Sequence, residues 1–365
     1  MIALAAAISL AVAQQARPFA VPSTDGYVLT GQADVPEGGS RGVVIMVAGT
    51  GAFDRDVTFG RSGTPRDKLF ADLAATRFNA RGMTALRFDR RGVRHGVPPT
   101  EAIDAAAAPG VTAEALSADV GVLYDWARSS AGLGARCVVF FAHSEGAVHV
   151  AGVAKAGAPE PALVIGMGAP LESKVSAVRW QSTGRDADSL TMMDADGDGT
   201  ITNEEVRSNW MNTPSAVFET LAPFLHPNGA WTRADLDQLR ANQTALYEQA
   251  KASAMALDDA APYPSAAAPV FSGAWWKSWM TDDEPLAARF ARWRSPLILH
   301  YGDRDSQVRE QRQRAAAEGV LGEQQVRFVS HPGRGHSLGT EPLMGPIDEA
   351  IADQIAGEAA AACPG

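Results

Sequence analysis

From Arg41 to Leu171 short apolar runs alternate with longer stretches of helical periodicity, and that rhythm leaves few architectures open to the chain. Gly42–Ala48 (GVVIMVA), Met83–Phe88 (MTALRF) and Cys137–Ala142 (CVVFFA) have strand length and are apolar enough to be buried on both faces. Between them Asp67–Arg81 and Ala113–Ser129 carry apolar residues at helical spacing. Strand and helix in repeated succession predict βαβ units and a mostly parallel sheet flanked by helices. The rhythm stops near Leu171. It resumes at Ser295 with Pro296–Tyr301 (PLILHY), a helical stretch Gln307–Gly319, the strand Gln325–Ser330 and a final helix Pro346–Ala362. In between, Glu172–Arg294 is rich in Trp, Met, Pro and acidic residues and shows no strand pattern. The expected organisation is therefore a core of residues 21–171 and 295–365, with 172–294 inserted as a helical cap over the carboxyl edge of the sheet. Ala102–Pro109 reads as an Ala-rich loop.

With 365 residues, 46% apolar and 20% charged, the chain can bury a large core. Its net charge of −10 repels phosphate backbones, and no basic cluster offsets it, so nucleic acid is not an expected partner. Beyond the N-terminus no apolar run approaches the ~20 residues that cross a bilayer, so no membrane span is expected. Residues 1–13 carry no charge and end in Ala11-Val12-Ala13, the small residues of a signal-peptide cleavage site. The expectation is a secreted or periplasmic protein. The first basic residue is Arg17, so the positive start typical of such a signal is missing, and a buried first helix is the competing reading. Cys137 and Cys363 are an even pair, compatible with one disulfide in an oxidising compartment and equally with a buried free thiol at Cys137.

Ala142-His143-Ser144-Glu145-Gly146 follows a buried run and opens a helix of small residues. A serine there sits on a sharp strand-to-helix turn with its hydroxyl above the sheet, and Ala142 and Gly146 are small where backbones must nearly touch. Gly302-Asp303-Arg304-Asp305 and Gly333-Arg334-Gly335-His336 follow later strands, so Ser, Asp and His occur in chain order, each just past a strand's carboxyl end. His336 would take the serine's proton and a carboxylate would orient the imidazole. Asp305 is preferred for that carboxylate because it lies further out from the strand end, with Asp303 the alternative. His143, next to the serine, is expected to point away into the turn. A tetrahedral intermediate needs two oxyanion donors. The N–H of Glu145 supplies one, and the loop Val47-Ala48-Gly49-Thr50-Gly51 the other, from Thr50 or, second, Gly51. Asp54-Arg55-Asp56 and Asp89-Arg90-Arg91 are read as ion pairs that hold loops rather than as reacting groups.

Taken in order, Gly49–Asp56, Arg87–Val93, His143–Gly146, Tyr301–Val308 and Gly335-His336 resemble bacterial α/β-hydrolases of the carboxylesterase type. The resemblance implies the α/β-hydrolase fold, Ser144, Asp305 and His336 as the triad, Thr50 in the oxyanion hole, and hydrolysis of a small-molecule ester through an acyl-enzyme. Serine peptidases and thioesterases share these parts, and a non-catalytic calcium-binding interaction protein on the same scaffold is the alternative of another class.

The cap contains Asp194-Ala-Asp196-Gly-Asp198-Gly199-Thr200-Ile201-Thr202-Asn-Glu-Glu205. Carboxylates at loop positions 1, 3 and 5, glycine at 6, an apolar residue at 8 and glutamate at 12 match the EF-hand calcium loop, which must wrap six to eight hard oxygens around one ion. Asp194, Asp196, Asp198, Thr200, Thr202 and Glu205 are the expected ligands of one structural Ca2+. Such loops work in pairs, and Phe224–Asp235 keeps Asn228, Gly229, Trp231 and Asp235 in register while lacking carboxylates at positions 1 and 3. It is expected to pair Trp231 with Ile201 across a short ribbon and to bind no metal. Phe271, Trp275, Trp276 and Trp279 are expected to form cap core rather than a substrate wall.

Overall fold

The computed structural model describes residues 14–59, 62–98, 100–213, 220–262, 270–340 and 345–364. The expected signal segment, residues 1–13, lies outside them. The strands are β1 (Gln14–Pro22), β2 (Val28–Pro36), β3 (Gly42–Val47), β4 (Met83–Phe88), β5 (Val138–His143), β6 (Leu163–Met167), β7 (Ile201–Thr202), β8 (Ala230–Trp231), β9 (Leu297–Gly302) and β10 (Val326–His331). Eight of them form one sheet in the order β1-β2-β4-β3-β5-β6-β9-β10. β2 pairs antiparallel with both β1 and β4, and every other neighbour pair is parallel, so β2 alone runs against the rest. The sheet thus starts at Gln14, ahead of residue 21 where the sequence pattern begins the core.

Coverage on both faces explains why β5 is apolar from Val138 to Ala142, up to its last residue, His143. Val138, Phe140 and Ala142 face helices Ala113–Arg128 and Gly146–Lys155, while Val139 and Phe141 face the helical turns of 69–78 and helix Glu349–Ala362. Fully burying each Phe contributes about 1.5–3 kcal/mol. Helix Ala113–Arg128 begins where Thr112 Oγ1 accepts from Ala115 N, and it buries Leu116, Val120, Leu123 and Ala127, an i, i+4, i+7, i+11 stripe. The stretch expected as one helix, Asp67–Arg81, is broken: a 3-10 turn at Pro65–Asp67, one α turn, a wide π-type turn at Leu73–Phe78 and a further 3-10 turn end at Gly82, φ 72°. Ala102–Pro109, expected as loop, contributes most of a 3-10 turn, Ala105–Gly110, capped by Asp104.

Cys137 and Cys363 form a disulfide with Cα atoms 5.7 Å apart, tying the start of β5 to the end of the last helix. Gly42 lies beneath it, where a Cβ would come within 2.6 Å of Cys363 Sγ.

The cap leaves after β6 and returns before β9, two strands that are neighbours in the sheet. Its helices include Lys174–Thr183, Arg185–Thr191, Asn203–Asn209, Arg233–Met255 and Gly273–Thr281. β7 and β8 pair antiparallel, Ile201 opposite Trp231, as the paired-loop reading expects. Thr202 and Glu205 form a reciprocal cap at one helix start, and Thr232 and Asp235 repeat it at the other. Leu190, Met193, Ile201, Val206, Trp210, Phe224 and Leu236 close a core of their own around the ribbon.

Candidate active site

Ser144 follows β5 and precedes helix Gly146–Lys155 with φ 52°, a left-handed conformation that side chains rarely accept. The turn is this tight because its neighbours leave no room. A Cβ on Gly146 would sit 2.3 Å from Val47 O, and one on Gly49 would lie 2.9 Å from Ser144 Cβ. The loop after β3 and the serine turn are therefore in contact through glycine. Among the described residues, the N–H groups of Thr50, Gly51 and Glu145 meet no backbone acceptor.

Asp305, past the end of β9, is fully buried. Its Oδ1 accepts from Gln307 N at 2.7 Å and Val308 N at 2.9 Å, which aims Oδ2 at His336 Nδ1, 2.8 Å away. Asp303 faces outward and accepts from Gly333 N at 2.8 Å, so the geometry pairs His336 with Asp305. Ser144 N donates to Met167 O at 2.9 Å, which sets the serine beside Gly168. His336 and Asp305 pack on that glycine: a Cβ there would lie 2.7 Å from His336 Cε1 and Nδ1, and 3.1 Å from Asp305 Oδ2. Gly168, φ 56°, escaped the sequence reading; its one signal is a glycine just after a short apolar run.

His143 does not point away into the turn. It is the last residue of β5, and its ring lies 4.9 Å from that of His336 and 5.0 Å from Phe59. Strand parity sends it to the face opposite Ala142 and so beneath the site. His331 stacks on buried His300, with Nε2 2.9 Å from His300 Nδ1, while His300 Nε2 meets Glu358 at 2.9 Å.

Both arginine clusters form ion pairs. Arg55 binds Asp89 at 2.5 Å, Arg87 binds Asp34 at 2.7 Å and Asp56 at 2.5 Å, and Arg91 binds Asp119 at 2.7 Å and Asp25 at 2.6 Å. Arg90 donates to the Glu145 carboxylate at 2.8 Å, and Trp275 Nε1 donates to its other oxygen at 2.7 Å. Burial pushes the Glu145 carboxyl up, but the Arg90 guanidinium and the hydrogen bonds from Arg90 and Trp275 overcome it and hold it at about 2. Trp275 is buried against Phe271, ring centroids 4.0 Å apart, and belongs to the cap's contact with the core.

Three histidines are kept neutral. Burial drives His143 and His149 well below the usual range, and burial with His300 holds His331 at about 4. The unfolded chain takes up these protons below pH ~6.5 while the folded chain refuses them, so unfolding gains protons and stability falls with pH. Urea midpoints are expected to drop steadily from pH 6.5 towards 4, beginning above the carboxylate range. A midpoint flat between pH 7 and 5 would contradict this.

In the cap loop, one carboxylate oxygen from each of Asp194, Asp196 and Asp198 lies within 4.8 Å of the others. Among the described residues no Lys, Arg or His forms an ion pair with them. Gly197, φ 73°, and Gly199, φ 84°, fold the loop so that Asp194 accepts from both of their N–H groups. Glu205 reaches back to Ala195 N at 3.0 Å. This all-oxygen donor set, with uncompensated like charges, fits a hard divalent cation. Thr200 N–H donates to Asp198 Oδ1 at 2.7 Å.

A cavity of about 610 Å³ lies elsewhere, lined by Ser117, Gly152, Lys174, Asp282 and Arg289, and Ser144, Asp305 and His336 do not line it.

No family model matches the sequence, and no curated protein is significantly similar to it. Solved structures do match over nearly the whole chain. A proline iminopeptidase from Mycobacterium smegmatis is 14% identical with a TM-score of 0.52, covering 95% of this chain and 100% of its own. DcsB, solved with a substrate analogue, is 13% identical with a TM-score of 0.52 over 96% and 100% of the two chains. Est1E from Butyrivibrio proteoclasticus, solved with ferulic acid, is 12% identical with a TM-score of 0.50 over 94% and 96%. Likeness at this level is likeness of fold, and with the strand order and the single reversed strand it establishes that the chain has the α/β-hydrolase fold.

Proposed function

We propose that this chain is an exported serine hydrolase that cleaves carboxylic esters of small molecules. The observation that carries the reading is the buried Asp305–His336 pair, 2.8 Å apart, packed on the glycine beside a serine held at φ 52°. His336 takes the Ser144 hydroxyl proton as Oγ attacks the ester carbonyl, Asp305 holds the imidazole tautomer and stabilises the imidazolium, and the Glu145 N–H with that of Thr50 or Gly51 receives the oxyanion. His336 then protonates the leaving alcohol, and water repeats the sequence on the acyl-enzyme. Export is supported by the charge-free residues 1–13 and by the Cys137–Cys363 disulfide, a bond that persists in oxidising compartments. A fluorophosphonate probe tests the reading: wild type is expected to label at Ser144 and to hydrolyse p-nitrophenyl esters faster than matched thioesters or peptides. Failure to label would favour a calcium-binding protein without catalysis.

Asp194, Asp196, Asp198, Thr200, Thr202 and Glu205 would hold one Ca2+, which would neutralise the gathered carboxylates and stiffen the paired loops. Extracellular loops of this kind bind with Kd on the order of 10⁻⁴–10⁻³ M. Calcium at 100 times Kd stabilises by about 2.7 kcal/mol, so Tm is expected to rise by about 3–8 °C over that in EDTA. Glu205→Gln should abolish most of the rise, and calorimetric titration should give one ion per chain. An unchanged Tm would refute the site, and two ions per chain would refute the reading of Phe224–Asp235 as a metal-free partner.

A further inference from the structure

The two expected oxyanion donors belong to separate segments. One is the turn after β5, the other the loop after β3, and no covalent link fixes their spacing. The Arg90 guanidinium spans them. Nη1 donates to Gly49 O at 2.5 Å and Nη2 to Glu145 Oε2 at 2.8 Å. The backbone of the same residue grips the far end of the loop, Arg90 N donating to Phe53 O at 3.1 Å. Thr50 and Gly51 thus lie in a five-residue span held at both ends by one arginine. The guanidinium is 4.6 Å from the Phe271 ring, and Glu145 Oε1 is occupied by Trp275 Nε1 at 2.7 Å, so the cap is fastened to the same group.

We infer that Arg90 is a positioning residue that sets the distance between the Glu145 N–H and the Thr50–Gly51 amides, with Glu145 and Trp275 fixing the guanidinium in place. The inference rests on the serine-hydrolase reading. Electrostatic stabilisation of the oxyanion depends on donors 2.7–3.1 Å from the developing charge, and a donor moved by ~1 Å loses most of its effect. Only a planar, forked side chain reaches both partners, because lysine is a single point charge.

The test is Arg90→Lys, with Glu145→Gln as a second variant that keeps an acceptor for Trp275 but removes the charge. Arg90→Lys is expected to lower kcat by about 10- to 100-fold with KM within about threefold, since the lost interaction is made in the transition state. The deciding readout is a trifluoromethyl ketone. Ser144 Oγ bonds to its carbonyl carbon, the hydroxyl proton passes to His336, and the carbonyl oxygen becomes the anion held by the two N–H groups. Its inhibition constant should rise by the same factor as kcat falls, and Glu145→Gln should lie between wild type and Arg90→Lys on both measures. A merely structural role would lower Tm and active fraction and leave the inhibition constant of the folded enzyme unchanged, which would overturn the inference, as would wild-type kcat in Arg90→Lys. Wild type that fails to label with the fluorophosphonate sinks the hydrolase reading and this inference together; wild type that labels while Arg90→Lys matches it sinks this inference alone.

Discussion

Replacing Ser144 by alanine is expected to lower ester turnover by about 10⁴- to 10⁶-fold and to abolish fluorophosphonate labelling, with the fold and Tm unchanged. Losing a nucleophile of this type leaves only the acceleration that binding and the oxyanion site provide, which accounts for that range. The backbone adds a second arm. Ser144 holds φ 52°, which disfavours any residue with a Cβ, so Ser144→Gly should be as inactive as Ser144→Ala yet more stable by about 1 kcal/mol. Asp305→Asn should cost about 10⁴-fold by unsettling the imidazole tautomer, whereas Asp303→Asn, whose carboxylate only steadies Gly333 N, should cost little. Steady-state kinetics on a p-nitrophenyl ester decide the matter, and Ser144→Ala within tenfold of wild type would sink the assignment.

Adding one methyl group at Gly168 is expected to lower kcat by about 100-fold while the protein still folds. The methyl would meet His336 at 2.7 Å and Asp305 at 3.1 Å, so the imidazole must move, and a catalytic group displaced by ~1 Å costs on the order of 10²-fold. The positive φ of 56° adds strain of about 1 kcal/mol or more, enough to lower Tm by a few degrees without unfolding the chain. The ratio of the two effects is the measurement: kcat within threefold of wild type would show that His336 does not use the space over Gly168.

Much of this was legible because burial on both faces leaves a compositional trace. The apolar runs at 42–48, 83–88, 137–142 and 296–301 each coincide with a strand to within about two residues, since a strand covered on both sides tolerates few polar residues, while the run at 325–330 marks β10 at the sheet's far edge by its β-branched and aromatic residues alone. β1 and β2 left no such trace. β1 is the edge strand and carries Pro18 and Pro22, and β2 beside it alternates exposed and buried positions with Asp34 buried on Arg87. β6 is fully buried but spans only Leu163–Met167, too short to stand out after Pro159 and Pro161. At the site, chain order and strand ends pointed to Ser144, Asp305 and His336, but Gly168 and Arg90 act through partners more than 40 residues away in sequence, which no local spacing encodes. His143 departs from expectation for a smaller reason: β5 runs one residue beyond the apolar run, to His143, and strand parity then sets the side of the sheet its ring takes.

The cap departs after Leu171, and its return is earlier than residue 295: Leu286, Ala287, Phe290 and Trp293 already pack in the sheet's core, and Ala287 N–H donates to the Leu171 carbonyl at 2.9 Å. With Val175 N donating to Asp282 O at 3.3 Å and Lys174 paired with Asp282 at 3.0 Å, the two ends are joined to each other and the insertion is a cassette. It can be shortened, enlarged or exchanged without altering the register of β6 on β9, so the insertion can diverge while Ser144, Asp305 and His336 keep their places on the core. The fastening at Trp275 and Glu145 is the condition such an exchange must meet: a foreign cap would need its own donor for that buried carboxylate, and one without it would leave an accepting oxygen stranded next to the serine.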